Sequence, residues 1–161
     1  MFREMRRKRQ MLSQDDSVAI LERMTFGVLG VSGDEGYPYA VPLSYVYADG
    51  RIWFHCALSG HKVDAIKRND KVSFCVVEQD HVVPKEFTTY FRSVIAFGRV
   101  RILTDESEKR QALERLAQKY APNESDDSLQ AEIEKGGHRL FVVEIEIEHL
   151  TGKQAIELVP R

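Results

Sequence analysis

Residues 13–24, SQDDSVAILERM, place Val18, Ile20, Leu21 and Met24 in one helical stripe. Ser13 stands where an N-cap belongs, and Asp15 and Asp16 complement the positive end of the helix dipole. From Phe26 the period changes to alternation. Phe26 to Ser32 predicts a short strand, Gly33-Asp34-Glu35-Gly36 a turn, and Tyr37 to Tyr47 a long strand. Pro38 and Pro42 suit a bulge or a sheet edge. Asp49-Gly50, between two alternating runs, predicts a two-residue hairpin. With that loop, Ala48 faces Arg51, Tyr47 faces Ile52, Tyr45 faces Phe54, Ser44 faces His55 and Leu43 faces Cys56. One face then carries Leu43, Tyr45, Tyr47, Ile52, Phe54 and Cys56, and the other Ser44, Val46, Trp53, His55 and Ala57. A slip of one residue would exchange the two faces.

Further along, residues 62–69 predict a short helix, Lys71 to Glu78 a strand, 79–87 a loop and Thr88 to Leu103 a long strand. Asp105 to Tyr120 predicts an amphipathic helix with Leu113, Leu116 and Ala117 apolar. Residues 127–135 predict another, ended by Gly136-Gly137. Arg139 to Glu148 alternates Phe141, Val143, Ile145 and Ile147 with Glu144, Glu146 and Glu148, as in an antiparallel strand with one wet face. A last strand is expected over Thr151 to Val159. Six or seven mostly antiparallel strands with three or four helices make an α+β, mainly β protein, a small closed or split barrel.

At 161 residues, 43% hydrophobic and 30% charged, the chain suits one globular domain over residues 1–161. Area scaling buries about 70% of its surface, so no disulfide or metal staple is required. The net charge of −2 hides an asymmetry. Residues 1–10 carry Arg3, Arg6, Arg7, Lys8 and Arg9 against Glu4, a net of +4, which leaves −6 for the rest. Residues 1–12 therefore form a basic N-terminal arm, expected as a solvated tail. Such a balance argues against a broad nucleic-acid face, although the arm is one place where an anionic surface could bind. The longest uncharged run, Gly36 to Ala48, is too short and too proline-rich to span a membrane. No apolar stretch follows the basic start as in a secretory signal. Cys56 and Cys75 form no CxxC pair and are expected as reduced, buried thiols. A cytoplasmic protein with no membrane and no nucleic-acid partner is expected.

The most informative stretch is Arg51 to Asn69, RIWFHCALSGHKVDAIKRN. A strand ends near Leu58, Ser59-Gly60 turns, and His61-Lys62 opens a helix. Backbone N–H groups at such a start point outward, and the dipole favours an anion. Gly60 permits close approach, Lys62 adds charge and His61 a donor, while Lys67 and Arg68 are spaced so that one of them can share the face of Lys62. The same spacing also fits a solvated helix start that touches nothing. His55, beside Trp53 and across from Ser44, suits either a packed histidine or one turned to a ligand. No metal site is expected: His55, Cys56, His61, Cys75 and His81 show no zinc spacing, and His138 and His149 read as surface. Thr88 to Ser93 combines hydroxyls, aromatics and Arg92, which suits either a phosphate and ring contact or an edge strand. Gly-x-Gly-x-x-Gly, a Walker loop, Gly-x-Ser-x-Gly and His-Glu-x-x-His are all absent.

The stretches MFREMRRKRQMLS, GVLGVSGDEGYPYAVPLSYVY, RIWFHCALSGHKVDAIKRNDKVSFCVV and YFRSVIAFGRVRI, in this order, resemble the FMN-binding split-barrel superfamily that includes pyridoxamine 5′-phosphate oxidase. They are most similar to its nitroimidazole-resistance (Nim-type) branch, over roughly residues 1–104. The resemblance implies an antiparallel six- to seven-stranded split β-barrel with peripheral helices. It also implies a homodimer with FMN at the subunit interface. Pro42, Leu43, Ser44 and Tyr45 would lie along the isoalloxazine ring. His55, Cys56 and Ala57 would line it through their backbone, and Gly60, His61 and Lys62 would hold the phosphate. Tyr90, Arg92 and Ser93 would come from the partner subunit. Trp53, Tyr45 and Phe91 are candidate aromatic walls. His55 is the candidate catalytic residue, with His61 as the alternative. The implied activity is an FMN-dependent reductase that uses NADH or NADPH and reduces nitroaromatic compounds to amines. Other members imply two alternatives, heme handling with His55 or His61 as axial ligand, and a non-catalytic flavin binder; deazaflavin is a further cofactor in the superfamily. The chain shows nothing like the pyridoxal phosphate clamp at the oxidase's own C-terminus.

Overall fold

A computed structural model describes residues 1–160. Its strands are β1 (Phe26–Ser32), β2 (Pro38–Ser44), β3 (Val46–Ala48), β4 (Arg51–Ala57), β5 (Lys71–Val83), β6 (Thr88–Ile102) and β7 (Leu140–Gln154). Its helices are α1 (Gln14–Arg23), α2 (His61–Arg68), α3 (Glu106–Tyr120) and α4 (Asp126–Gly136). The seven strands form one sheet in the order β2-β1-β5-β6-β7-β4-β3, and every pairing is antiparallel. β2 and β3 are therefore at opposite ends of the sheet, although only Tyr45 separates them in the chain. Two residues reach at most about 7 Å, so the sheet must curl until its ends meet. The result is the α+β split barrel that the alternation implies. No helix among the described residues is long and apolar enough to cross a membrane.

Several elements form for the local reasons visible in the sequence. Ser13 accepts a hydrogen bond from the N–H of Asp16, Asp105 from that of Glu108 and Ser125 from that of Ser128, which caps α1, α3 and α4. Asp49 and Gly50 take φ values of 48° and 76°, as a tight hairpin between twisted strands requires.

The long strand expected over Tyr37 to Tyr47 is two strands. The register Ala48–Arg51 and Tyr47–Ile52 forms, with Val46–Trp53 beyond it. The pairs Tyr45–Phe54, Ser44–His55 and Leu43–Cys56 do not form, because Leu43 and Ser44 pair with Gly27 and Phe26 of β1. The face assignment survives the change of partner. Tyr45, Ile52, Phe54 and Cys56 lie in the main core inside the barrel, with Leu43 and Tyr47 packed against it. Val46 and Trp53 lie in a second core on the outer surface, under α3, with Leu103, Ala112, Leu116 and Val142.

Three further expectations change. The loop expected over residues 79–87 is mostly strand, since β5 continues through a register shift between Val77 and Gln79 and pairs as far as Val83–Thr88. The two strands expected at the C-terminal end are one, β7, which absorbs a shift opposite Phe97 and Gly98 and runs on to Gln154. Glu144, expected on a wet face, is only 7% exposed. It accepts hydrogen bonds from Trp53 Nε1 at 2.9 Å and Arg101 Nε at 2.8 Å. Alternation marks which side chains share a face, whereas α3 decides that this face is covered.

The basic arm is tied down rather than free. Gln10 and Leu12 are buried, Gln10 Nε2 donates to the carbonyl of Gln154, and Phe2 stacks on His149 with ring centres 4.6 Å apart. Its arginines remain exposed. At Gly152 a Cβ would come within 2.3 Å of Ser17 Oγ, so the lack of a side chain there lets α1 lie against β7.

Glu144→Ala should lower stability by about 2 kcal/mol, because the buried Trp53 N–H loses its acceptor and Arg101 one of its carboxylates. Urea denaturation of the variant checks this, and an unchanged midpoint would contradict the role given to Glu144.

Candidate functional site

The split leaves two strand edges without neighbours. β2 pairs only with β1, and β4 pairs with β3 only over Arg51 to Trp53. Residues 54–57 and 38–44 therefore offer main-chain groups to whatever lies between them. Pro42, which has no N–H, costs such an edge little. Along these edges Pro42, Ser44, His55 and Ala57 are exposed, while Leu43 is half-buried against the core.

Two sequence-derived candidates turn the other way. Tyr45 is fully buried and its hydroxyl donates to the carbonyl of Leu21 at 2.8 Å. Its N–H donates to the hydroxyl of Tyr120, and its carbonyl accepts from the same hydroxyl. Burial pushes the Tyr45 phenol well above its ordinary range. Tyr45 thus has no polar group left for a ligand, and neither it nor the buried Trp53 supplies an aromatic wall. Cys56 also points inward. Burial raises its thiol, an effect partly offset by the charge of Lys62, so Cys56 can meet a ligand only through its backbone.

β4 leads through Leu58-Ser59-Gly60 into α2. Gly60 is the N-cap, with φ of 130°, no side-chain cap and open space where a Cβ would stand. That conformation strains any residue with a side chain, and the uncapped N–H groups behind it face outward. Lys62 is half-buried and forms no ion pair among the described residues. Its neighbours are committed elsewhere. The His61 ring stacks on Tyr39 at 4.1 Å, with Nε2 3.5 Å from Asp34. Arg68 donates to Asp34 at 2.7 Å, and Lys67 lies over the ring of Phe141. Of the expected cluster Lys62, Lys67 and Arg68, only Lys62 is left to meet an anion beside Gly60.

His55 and Ser44 are not strand partners, yet both border one recess of about 450 Å³ under α3 and α4. Tyr120 of α3 reaches the same place, and its hydroxyl lies beside Ser44. Sequence reading did not single out Tyr120. Its helical stripe marks Leu113, Leu116 and Ala117 as apolar but carries no sign that the last residue of the helix ends on the barrel seam.

Tyr90, Arg92 and Ser93 stand far from this place within one chain. Arg92 and Ser93 pair with Gln154 and Lys153 at one end of β7, whereas Cys56 and Ala57 pair with Phe141 and Leu140 at the other. Tyr90 donates to Glu86 at 2.6 Å. Among the described residues, Arg92 Nε and Gln154 Oε1 are buried without hydrogen-bond partners. Lys153 lies over the ring of Phe91, at that same far end. Among the described residues no three of His, Cys, Asp and Glu come together as a metal would require.

A family model for pyridoxamine 5′-phosphate oxidase matches residues 13–154. The chain belongs to this family, the flavin-binding split barrels. No curated protein matches it in sequence. Solved structures share the fold at low identity. A conserved hypothetical protein from Mycobacterium tuberculosis superposes with a TM-score of 0.81 at 17% identity, over 98% of this chain and 95% of that one. A provisionally assigned 5-nitroimidazole antibiotic resistance protein from Bacteroides thetaiotaomicron gives 0.73 at 22%, over 89% and 86%. An FAD-binding protein from Mesorhizobium loti gives 0.63 at 24%, over 91% and 97%.

The hydrogen bond from Arg68 is the main cause that holds the Asp34 carboxyl below its ordinary range. A depressed carboxyl adds stability above its ordinary pKa of about 3.9, and that contribution is lost as pH falls through the lower folded value. In Arg68→Ala the Asp34 carboxyl should titrate closer to the ordinary value by carbon NMR. An unchanged titration would show that Arg68 is not the cause.

Proposed function

We propose that the protein is an FMN-dependent reductase. The isoalloxazine ring would lie along the bare edges of β2 and β4, and the phosphate would rest on the start of α2. The observation that carries this reading is the uncapped helix start at Gly60, with the unpaired Lys62 beside it, at the end of an unpartnered strand edge. Donors there converge on one anion, and the adjoining edges suit a flat group with several hydrogen-bonding atoms. A single phosphate of this kind suits FMN, and FAD is the alternative to be separated by test.

Within this reading Gly60 and the first N–H groups of α2 bind the phosphate, and Lys62 supplies its charge. His61 acts through its backbone, because its ring is held between Tyr39 and Asp34. Main-chain groups of residues 42–44 and 55–57 orient the ring. His55, exposed on the outer face of β4, is the side chain placed to position a substrate or donate a proton to it. When bound, FMN would supply hydride acceptance from NADH or NADPH and delivery of electrons to an acceptor. The name of the Bacteroides structure supports a nitroaromatic compound as one such acceptor.

We further propose a homodimer. The outer faces of β5 and β6 leave Val77, Ile95 and Phe97 exposed at 48, 40 and 40%. Ser93 shares this face, and Cys75 stands opposite Ile95. An apolar sheet face of this kind suits burial against another protein surface. A second copy placed there would bring Tyr90, Arg92 and Ser93 toward the other subunit's cleft.

Purified protein should be yellow and release FMN on heating. A Soret band, or a colourless protein that takes up no flavin, would overturn the reading, and release of FAD would change the cofactor. Lys62→Ala should weaken FMN binding about ten- to a hundredfold, the equivalent of about 1.5–3 kcal/mol for a charge-assisted hydrogen bond. An unchanged dissociation constant by fluorescence titration would refute the phosphate site. Ile95→Asp should yield a monomer in sedimentation with reduced flavin content, whereas a monomer that keeps its flavin would separate the cofactor site from the dimer.

A further inference from the structure

The outer face of β4 at His55 is roofed by α3 and α4, which leave a recess of about 450 Å³. That volume lies in the lower half of the range for small-molecule sites, about 300–1,000 Å³. Its walls are chiefly apolar: Leu113 and Leu116 of α3, Leu129 and Ile133 of α4, and Leu140 at the start of β7. Polar groups gather on the barrel side, where Ser44, His55 and Tyr120 stand around the seam. The hydroxyl of Tyr120 is engaged with backbone groups of Tyr45 and with the Ser44 hydroxyl, so His55 holds the side-chain donor left for a ligand. Among the described residues Glu132 is the one acidic side chain in the lining, and no lysine or arginine lines it.

We propose that this recess is the acceptor-substrate pocket, and that it takes neutral, flat molecules of one or two rings bearing a nitro or carbonyl oxygen and rejects anions. The assignment to a substrate rests on the reductase reading, since His55 borders both the recess and the strand edge given to the flavin ring. Leucine and isoleucine walls suit an uncharged ring, and the ring's oxygen would accept from His55. An anion entering the recess would lose its hydration, meet no cation and approach Glu132. The phosphate-bearing compounds after which the family is named therefore fit poorly. Selection against charge comes from α3 and α4, outside the strands that would hold the cofactor.

Trp53, the only tryptophan, packs with Leu116 in the second core, one layer behind the recess, and serves as a reporter. Titration of the purified full-length protein with 1-nitronaphthalene should quench Trp53 fluorescence to saturation. 5-Nitronaphthalene-1-sulfonate, the same ring with a charge, should bind at least tenfold more weakly. Ala117→Phe on α3 and Ile133→Phe on α4 each fill the recess from one side. Each should weaken 1-nitronaphthalene at least tenfold with flavin content by absorbance unchanged. Equal binding of the two probes would overturn the proposal, as would normal binding in both variants when their circular dichroism matches the parent. Should one variant misfold, the other and the comparison of the two probes still decide. A protein that binds no flavin but shows this probe pattern would sink the reductase reading and keep the recess, and a flavin-loaded protein without the pattern would do the reverse.

Discussion

Tyr45 is the hinge on which the architecture turns. The strands on either side of it lie at opposite ends of a seven-stranded sheet, so its position forces the sheet to close. Closure through a single residue cannot also be closure through a ladder. One edge runs away from Tyr45 along β2 and the other begins past Trp53 on β4, and both stay bare. Tyr45 itself would be left with an N–H and a C=O that neither edge can satisfy, and unpaired buried backbone groups are costly. The hydroxyl of Tyr120 meets both. Lys119 adds to the clasp, with its ammonium 4.3 Å from the Tyr45 ring centre and donating to the carbonyl of Met24. Partial burial lowers the Lys119 pKa, as expected for a cation moved away from water. The opening that suits a flat ligand is thus a consequence of how the barrel shuts, and the end of α3 keeps it shut.

The helix start shows how a short motif becomes a site. Glycine, histidine and lysine in a row can open any solvated helix. Here the surroundings distribute their tasks. Asp34 occupies Arg68 and draws the His61 ring toward Tyr39. Gly33 is tightly enclosed: a Cβ there would come within 2.6 Å of the Tyr37 carbonyl and 3.3 Å of His61 Nε2, so the residue after β1 must be one that lets this cluster close. With Arg68, Lys67 and the His61 ring engaged elsewhere, Lys62 stands as a positive charge without an ion-pair partner among the described residues, beside oriented N–H groups. The surroundings, rather than the number of basic residues, make the place selective for one anion.

Much of this was legible from local chemistry. The hairpin at Asp49-Gly50, the cap at Ser13 and the inward row Tyr45, Ile52, Phe54 and Cys56 follow from turn preference, capping and period. The break at Tyr45 was not, because the alternation of side chains passes through it undisturbed. Period reports the face and is silent on the partner, so the register could be right at Tyr47–Ile52 and wrong two residues earlier. Glu144 misled for a related reason. Its neighbours Glu146 and Glu148 share its face, but only Glu144 lies beneath α3, against Trp53 and Arg101. The recess was invisible for lack of proximity, since Ser44, His55, Tyr120 and Ile133 come from four separate elements.

The sheet order also separates two sets of residues that a flavin site would combine. Lys62 and the β4 edge stand near the start of β7, and Arg92 and Ser93 stand at its end. Folding one chain more tightly cannot join them, because the strands between are fully paired. Arg92 Nε and Gln154 Oε1, which have no hydrogen-bond partner among the described residues, lie at this second end. On the proposed dimer each subunit would supply the phosphate end of one site and the β6 end of the other. In that arrangement α3 and α4 remain on the subunit that holds the phosphate, so the cofactor would be shared between chains while the acceptor recess is built by one. Changes in the helix pair could then alter the choice of acceptor without disturbing the contacts that hold two copies together.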